Sequence, residues 1–234
     1  MSLKTFKHQL KKAGNKKTAE TLKWFFKTGK GEYGEGDKFL GIKVPQIREI
    51  AAANQDLTLA EIQKALRSKF HEERLCALLI LVDRYSKVNW ETKEEIFRFY
   101  LANTKMINNW DLVDLTAPNI LGKHLLKGNR KILLTLAKSR NLWERRISII
   151  STFEFIRNKD FSDSLKISKI LLTDKHDLIH KAVGWMLREI GKRSLKTEEK
   201  FLIAHYKKMP RTMLRYAIEK FPEKKRLEYL EGKV

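Results

Sequence analysis

Residues 72–85 read EERLCALLILVDRY, and the spacing of their apolar positions predicts an α-helix. These positions fall on one stripe of a helix because they recur at intervals of three and four: Leu75, Leu78, Leu79, Val82 and Tyr85. Glu73, Arg74 and Arg84 are left for the other faces. The stretch 142–157, LWERRISIISTFEFIR, shows the same spacing, and no segment alternates long enough to indicate a strand. The sequence therefore predicts an all-α fold.

The helical pattern also repeats weakly along the chain. A column of positions recurs at intervals of 36, 36, 35 and 34 residues: Arg74, Trp110, Arg146, Lys181 and Arg215. The residues two and three places further on are small or apolar, as a buried helix contact requires. A period of about 35–40 residues with two helices per unit is typical of HEAT-like repeats. We therefore predict a single domain over residues 1–234, a HEAT-like α-solenoid in which helix pairs form a superhelix with a concave basic groove.

Several residues mark where helices begin. Thr58 precedes Leu-Ala-Glu, which has the form of a capping box ending at Glu61. Pro45, Pro210 and Pro222 suit the first turn of a helix, where no backbone N–H is needed. These signals predict a dozen or more helices joined by short loops.

One irregular, Gly-rich loop is predicted at residues 29–44. It contains GKGEYGEGDKFLG, which formally matches G-x-G-x-x-G. We reject a nucleotide-binding fingerprint here, because no strand precedes it and because its acidic residues, Glu32, Glu35 and Asp37, would repel phosphates.

The charge of the chain is strongly positive. Its 234 residues include 49 Lys and Arg against 28 Asp and Glu, a formal net charge of +21. Residues 121–234 carry 28 basic and 13 acidic side chains, whereas residues 61–120 carry nine of each. This excess, together with five Trp and twelve Phe, favours a nucleic-acid partner, whose phosphates bind cations and whose bases contact aromatic rings.

Other features predict a soluble cytoplasmic protein. The single cysteine, Cys76, excludes an internal disulfide framework and fits a reducing compartment. No apolar run is long enough to span a membrane, and the N-terminal residues lack the apolar core of a signal peptide. We therefore expect no membrane association.

Five residues should share one face, three of them from the repeat column and two that lie four residues after a column position. Residues four apart lie on one side of a helix, so the column predicts that three successive inner helices present a common set. This set contains two indole rings, one carboxylate and two cations: Trp110, Asp114, Arg146, Lys181 and Trp185. An unpaired buried Asp114 would be costly, so a functional surface is a better interpretation than a core.

The sequence contains no motif for a metal site, a P-loop or a serine nucleophile. The six histidines form no metal-ligand spacing, and His71-Glu72-Glu73 begins like a zinc deaminase motif without the P-C-x-x-C that should follow. No Walker A sequence and no G-x-S-x-G are present. We expect neither a metal nor a cofactor.

Several stretches resemble the bacterial AlkD-type DNA alkylation repair glycosylases. They occur in order along nearly the whole chain: YGEGDKFLGIKVPQIRE (33–49), NNWDLVDLTAPNILGKHLL (108–126), NLWERR (141–146), KAVGWMLREIGKR (181–193) and MPRTMLRYAIEKF (209–221). The resemblance implies a HEAT-like solenoid that holds duplex DNA and excises cationic alkylated purines, mainly N3-methyladenine and N7-methylguanine. It also implies a bacterial protein that uses no metal or cofactor and is nucleoid-associated when on DNA.

The resemblance also assigns residues. It places the family's catalytic carboxylate on Asp114, its two groove tryptophans on Trp110 and Trp185, and its groove arginine on Arg146, with no substitution at these four positions. Related subfamilies bind DNA without excising bases, and the intact set favours an enzyme. We expect five residues to bind DNA phosphates: Arg146, Lys181, Arg188, Arg74 and Arg215.

The resemblance implies that the lesion is not flipped into a deep pocket. A shallow groove agrees with the sequence, which shows no aromatic cluster suited to a closed base pocket. Three alternatives stay open: a non-catalytic protein that binds branched or distorted DNA, a basic scaffold that binds an acidic protein, and an RNA-binding solenoid. We expect a monomer.

Overall fold

The computed structural model describes residues 2–234. The chain divides into two compact units, unit 1 up to Thr116 and unit 2 from Ala117 to Val234. Within residues 2–234 no strand forms, and the only β-type pairing is a parallel bridge between Lys38 and Phe70. The all-α prediction is confirmed, and a single domain over 1–234 stays a prediction.

Unit 1 is built from seven α-helices and a short 3-10 turn. In chain order they are α1 Leu3–Ala13, α2 Lys16–Phe25, α3 Val44–Ala53, α4 Leu59–Leu66, α5 His71–Lys87, α6 Trp90–Ala102, the 3-10 turn Thr104–Met106 and α7 Trp110–Thr116. The predicted helix starts are present: Thr58 and Glu61 form the capping box of α4, and Pro45 lies in the first turn of α3.

Unit 2 begins with a π-helical segment and continues as α-helices. Its elements are the π-helical Pro118–Gly122, α8 Lys123–Leu125, α9 Lys131–Ala137, α10 Leu142–Ser151, α11 Phe153–Arg157, α12 Ser162–Ile170, α13 Asp177–Gly191, α14 Leu195–His205, the 3-10 turns Tyr206–Lys208 and Ile218–Lys220, α15 Arg211–Ala217 and α16 Glu223–Glu231. The helix predicted over 142–157 is interrupted at Thr152. Pro210 and Pro222 stand one residue before α15 and α16.

The repeat column occupies corresponding helix positions. Its members lie in α5, α7, α10, α13 and α15. All ten positions two and three residues further on are buried: Cys76, Ala77, Leu112, Val113, Ser148, Ile149, Val183, Gly184, Ala217 and Ile218. A helical-repeat fold is therefore confirmed, because each repeat uses the same small or apolar pair for its helix contact.

Helix α5 is buried on nearly all sides, which differs from the amphipathic helix predicted there. It packs against α3, α4 and α7. Glu73 and Arg74, expected on solvent-facing sides, are buried. Burial is tolerated because each is ion-paired: Glu73 with Lys7 at 2.9 Å, and Arg74 with Asp37 at 2.7 Å.

The Gly-rich loop connects α2 to α3 and is longer than predicted, since α2 ends at Phe25 and α3 begins at Val44. Two of its carboxylates accept hydrogen bonds from the loop backbone: Glu32 from the N–H of Gly29, and Glu35 from the N–H of Gly31. Gly41 has a φ of +84°, and a Cβ there would lie 2.0 Å from the carbonyl oxygen of Asn15. Only glycine fits this close approach.

A buried carboxyl in unit 2 makes stability dependent on pH. Glu198 is 1% exposed, and burial, followed by the charge of Glu199, raises its pKa to about 8. The unfolded chain ionises this group near its ordinary pKa of 4.5, so the free energy of unfolding falls as pH rises from there through about 8. We expect Glu198→Gln to stabilise the protein at pH 9 by roughly 3–5 kcal/mol, with little change at pH 5. Urea unfolding at both values, with the exposed Glu231→Gln as control, measures this; equal effects of the two variants would contradict it.

Candidate DNA-binding and active site

Helix α7 places Trp110 and Asp114 on the wall of one cavity in unit 1. Trp110 is the first residue of α7 and Asp114 lies one turn later, and both are half-buried. Beneath them, the buried Tyr100 hydroxyl lies 2.8 Å from the Thr116 hydroxyl. Burial raises the pKa of Tyr100, and the charge of Asp114 adds to the rise.

Aromatic rings stack behind Trp110. The Trp110 ring is stacked on Phe26 with centroids 5.2 Å apart, and Phe26 is stacked on Phe39 at 5.1 Å. Phe39 in turn stacks on the imidazole of His71 at 4.8 Å. Phe25 meets Trp110 edge to face at 5.9 Å. Three separate segments of the chain bring these rings together beside the cavity. That the lesion is not flipped into a deep base pocket stays a prediction.

The cavity beside this cluster has a volume of about 430 Å³. Apolar side chains form most of its wall: Leu22, Phe25, Phe26, Phe39, Ile42, Val44, Ile47, Leu75, Trp110 and Leu115. Its ionisable lining consists of Lys43, His71 and three carboxylates, Glu72, Asp111 and Asp114. In a chain of net charge +21, this cavity is acidic and suits a cationic, planar ligand.

His71 is held between two carboxylates at the base of the cavity. Its Nε2 lies 2.7 Å from Asp111 and its Nδ1 lies 3.4 Å from Asp37. Burial alone would lower the pKa of His71, but the charge and hydrogen bond of Asp111, with the hydrogen bond to Asp37, raise it to about 9. An imidazolium at neutral pH donates both ring N–H groups and so ties α5, α7 and the Gly-rich loop together.

The raised pKa of His71 predicts a loss of stability in alkali. The imidazolium stabilises the folded state fully below its unfolded pKa of 6.5, and this contribution is lost as pH rises through about 9. We expect the free energy of unfolding to fall by about 2–3 kcal/mol across that window. Urea unfolding should show this fall in the wild type and in the exposed His8→Gln control. In His71→Gln the fall should be smaller by this amount, with the part due to Glu198 left, and an unchanged fall in that variant would refute the assignment.

Arg74 is placed differently from its prediction as a phosphate contact. Its guanidinium is 3% exposed, donates to the carbonyl of Ser68 and to Asp37, and lies near His71. Burial alone would raise the pKa of Asp37, but the His71 hydrogen bond and the charges of Arg74 and His71 outweigh it and lower that pKa. Because Asp37 and the carbonyl of Ser68 hold its guanidinium, Arg74 has a structural role in unit 1.

In unit 2, α13 carries Trp185 and Lys181. The Trp185 ring is half-buried and lies 5.6 Å from the Phe153 ring. A Cβ on the preceding Gly184 would lie 2.5 Å from the carbonyl oxygen of Met213, so α13 and α15 approach too closely for any larger residue. Lys181 is ion-paired with Asp177 at 2.8 Å in a partly exposed pair, which is weak enough for a phosphate to displace.

The three predicted arginines of unit 2 differ in accessibility. Arg146 is 5% exposed and donates to the carbonyl of Leu178. Arg188 is paired with Glu219. Arg215 is exposed and can approach a phosphate without rearrangement. Their contacts with DNA, and a common face with Trp110 and Asp114, stay predictions.

Sequence reasoning missed four residues of this site: Phe25, Phe26, Phe39 and His71. The sequence did offer a signal for the three phenylalanines. Phe39 lies in the Gly-rich loop, and Phe25 and Phe26 stand at the end of the helix before it. His71 shows only the start of a deaminase motif in the sequence. Its role depends on Asp111, forty residues away, and no local spacing reports such a contact.

A family model matches most of the chain. The family model described as DNA alkylation repair enzyme matches residues 6–221. The chain belongs to the DNA alkylation repair enzyme family. This membership supports a role in DNA repair and, with the basic charge of the chain, DNA binding.

Solved structures of similar fold carry related descriptions. A predicted DNA alkylation repair enzyme from Enterococcus faecalis superposes with a TM-score of 0.69 at 16% identity, covering 90% of this chain and 97% of that one. AlkD2 from Streptococcus mutans gives 0.53 at 20% identity, covering 95% and 100%. At these identities the likeness concerns the fold. No curated protein sequence matches the chain. No helix within residues 2–234 is long and apolar enough to cross a membrane.

Proposed function

We propose that this member of the DNA alkylation repair enzyme family is a DNA glycosylase. It hydrolyses the N-glycosidic bond of cationic alkylated purines in duplex DNA, with N3-methyladenine and N7-methylguanine as substrates. The observation that carries the proposal is the pairing of Asp114 with Trp110 on the wall of an acidic, aromatic cavity in a chain of net charge +21.

The reaction needs a carboxylate more than it needs a general acid. An alkylated ring nitrogen gives the base a positive charge, and the base leaves with the bonding electron pair as a neutral molecule. Positive charge then develops at C1′ of the sugar, as in glycoside hydrolysis. The carboxylate of Asp114 stabilises that charge and orients a water, whose oxygen forms the new bond to C1′ while its proton leaves to solvent.

The aromatic rings of the cavity wall also favour a positively charged base. Ring faces carry negative charge density and attract a cation within about 6 Å. Trp110, held in place by Phe26 behind it, presents such a face beside Asp114. By the family resemblance, Trp185 supplies a second ring and Arg146 a phosphate contact, with further phosphate contacts from Lys181, Arg188 and Arg215. No step requires a metal or a cofactor.

The assay that tests this function is base release. Duplex DNA methylated with dimethyl sulfate is incubated with the protein, and free bases and abasic sites are quantified. We expect free N7-methylguanine and N3-methyladenine, each matched by one abasic site. Binding without release would identify a non-catalytic DNA-binding protein, and failure to bind duplex at low salt would favour a scaffold for an acidic partner.

A further inference from the structure

An exposed pair of aromatic residues ends helix α2. Trp24 is 83% exposed and Phe25 is 52% exposed. Single exposed apolar residues are common on protein surfaces, but two adjacent aromatic rings on a short, otherwise polar helix are not explained by packing, because Phe26 next to them fills the core position. We call Trp24 and Phe25 the aromatic edge.

The charge around the aromatic edge is concentrated. Residues 1–31 contain nine lysines and one glutamate, a net charge of +8, whereas residues 32–116 contain twelve basic and fourteen acidic residues, a net charge of −2. The whole positive excess of unit 1 therefore belongs to α1, α2 and the start of the Gly-rich loop. Aromatic rings within a lysine-rich segment are the composition that binds nucleic acid strands.

The acidic neighbours of the edge are already engaged. Glu20 is paired with Lys23 at 2.7 Å, and Glu32 accepts the backbone N–H of Gly29 at 2.8 Å. Lys27 and Lys30 form no ion pair within residues 2–234 and are exposed. Two exposed cations outside any ion pair therefore stand beside the aromatic edge.

Lys27 is also held in an unfavourable backbone conformation. It follows the end of α2 with a φ of 51°, and Thr28 donates to the carbonyl of Lys23 at 3.2 Å, as in a helix terminus that usually carries glycine. The Cβ of a lysine crowds the backbone in this left-handed conformation, whereas glycine has no such crowding. Glycine at this position would therefore relieve the backbone and remove the charge, which makes Lys27→Gly a useful variant.

The aromatic edge adjoins the candidate active site. Phe25 lines the cavity that contains Asp114 and meets the Trp110 ring edge to face, while its neighbour Trp24 lines the adjoining surface depression with Lys23 and Lys27. A duplex whose C1′ lies near Asp114 would therefore pass close to the aromatic edge.

From these contacts we infer that the aromatic edge is a wedge for duplex DNA: Trp24 packs against a nucleobase next to the lesion, and Lys27 and Lys30 bind the flanking phosphates. Apolar side chains that enter a base step unstack it locally and anchor the protein on the strand. Here the anchor holds the sugar near Asp114 without extruding the base into a deep pocket. The inference rests on the proposed function for the position of the lesion, and on the aromatic edge and its charge for the contact.

The test compares two exposed tryptophans of unit 1. Trp24→Ala is matched with Trp90→Ala, since Trp90 is 62% exposed but lies in the stretch 61–120, whose charges balance. Affinity for unmodified duplex is measured by fluorescence anisotropy across a salt series. We expect Trp24→Ala to weaken binding roughly 10-fold, with the salt dependence unchanged because no charge is lost. Trp90→Ala should bind like the wild type, and Trp24→Phe should retain most of the affinity.

A second variant separates charge from stacking. Lys27→Gly should raise the melting temperature, because it relieves the backbone, and should lower the salt slope of DNA binding by about one. Thymines beside the bound site should react with permanganate in the wild type and not in Trp24→Ala.

Three results would each overturn the wedge. They are an unchanged affinity of Trp24→Ala for duplex, equal losses of affinity in Trp24→Ala and Trp90→Ala, and no binding of duplex by the wild type. Base release is measured separately. If the wild-type protein releases methylpurines and Trp24→Ala binds duplex as tightly as the wild type, the wedge alone is refuted. If Trp24→Ala weakens binding but the wild type releases no base, the proposed function alone is refuted.

Discussion

We expect Asp114→Asn to lower the single-turnover rate of base release from methylated duplex by at least about 100-fold, a typical effect of removing one group that stabilises transition-state charge. The amide keeps the size of the side chain but has no negative charge to place near C1′. Affinity for duplex should be kept or improved, because a carboxylate that faces phosphates has been neutralised. Quantifying free N7-methylguanine alongside anisotropy separates the two effects.

The control for this variant removes a carboxylate elsewhere in unit 1. Asp83→Asn breaks a surface pair with Lys87 and changes the net charge by the same amount. It should release bases at the wild-type rate. Normal release by Asp114→Asn would show that the carboxylate is not catalytic, whereas equal losses in both variants would assign the effect to net charge.

We expect binding to duplex DNA to weaken steeply with salt. A protein that neutralises six or more phosphates loses roughly 10³-fold in affinity between about 50 and 200 mM salt, because binding releases condensed counterions. The charges available for this are the +8 of residues 1–31 and the 28 basic against 13 acidic residues of 117–234. A salt titration followed by anisotropy gives the slope, and a flat response would exclude a phosphate-lined surface.

Variants of single arginines show which side chains contribute to the salt slope of duplex binding. Arg215→Gln removes an exposed cation of the repeat column and should lower the slope by about one. Arg98→Gln removes a cation that is equally accessible but paired with Glu94, within the charge-balanced stretch 61–120, and should leave the slope unchanged. A lower slope in Arg98→Gln than in Arg215→Gln would show that the DNA contact does not involve the repeat column.

The features that depend on local spacing could be predicted from the sequence. The buried pairs of the repeat column follow from the period of about 35 residues, since small or apolar residues at fixed helix positions have little alternative to packing. The capping box of Thr58 and Glu61 and the all-helical fold follow for the same reason. Trp110 and Asp114 could be placed on one wall because they are one helical turn apart.

Other features required the folded chain. The cavity joins the end of α2, the Gly-rich loop, the start of α5 and α7, and no period in the sequence connects Phe26, Phe39, His71 and Trp110. The burial of Arg74 could not be foreseen because its partner Asp37 lies thirty-seven residues earlier. The exposure of Trp24 was equally hidden, since a tryptophan in a helical pattern is more often part of the core.

A carboxylate beside aromatic rings should select a base by its positive charge, so the charge of the lesion decides whether the proposed chemistry is right. Two duplexes of one sequence carry either N7-methylguanine, which is cationic, or O6-methylguanine, which is neutral. Single-turnover release is measured on both with the wild-type protein. We predict release of free N7-methylguanine with a matching abasic site and no release of O6-methylguanine. Binding of both duplexes without release, or equal release from both, would contradict this selection by charge.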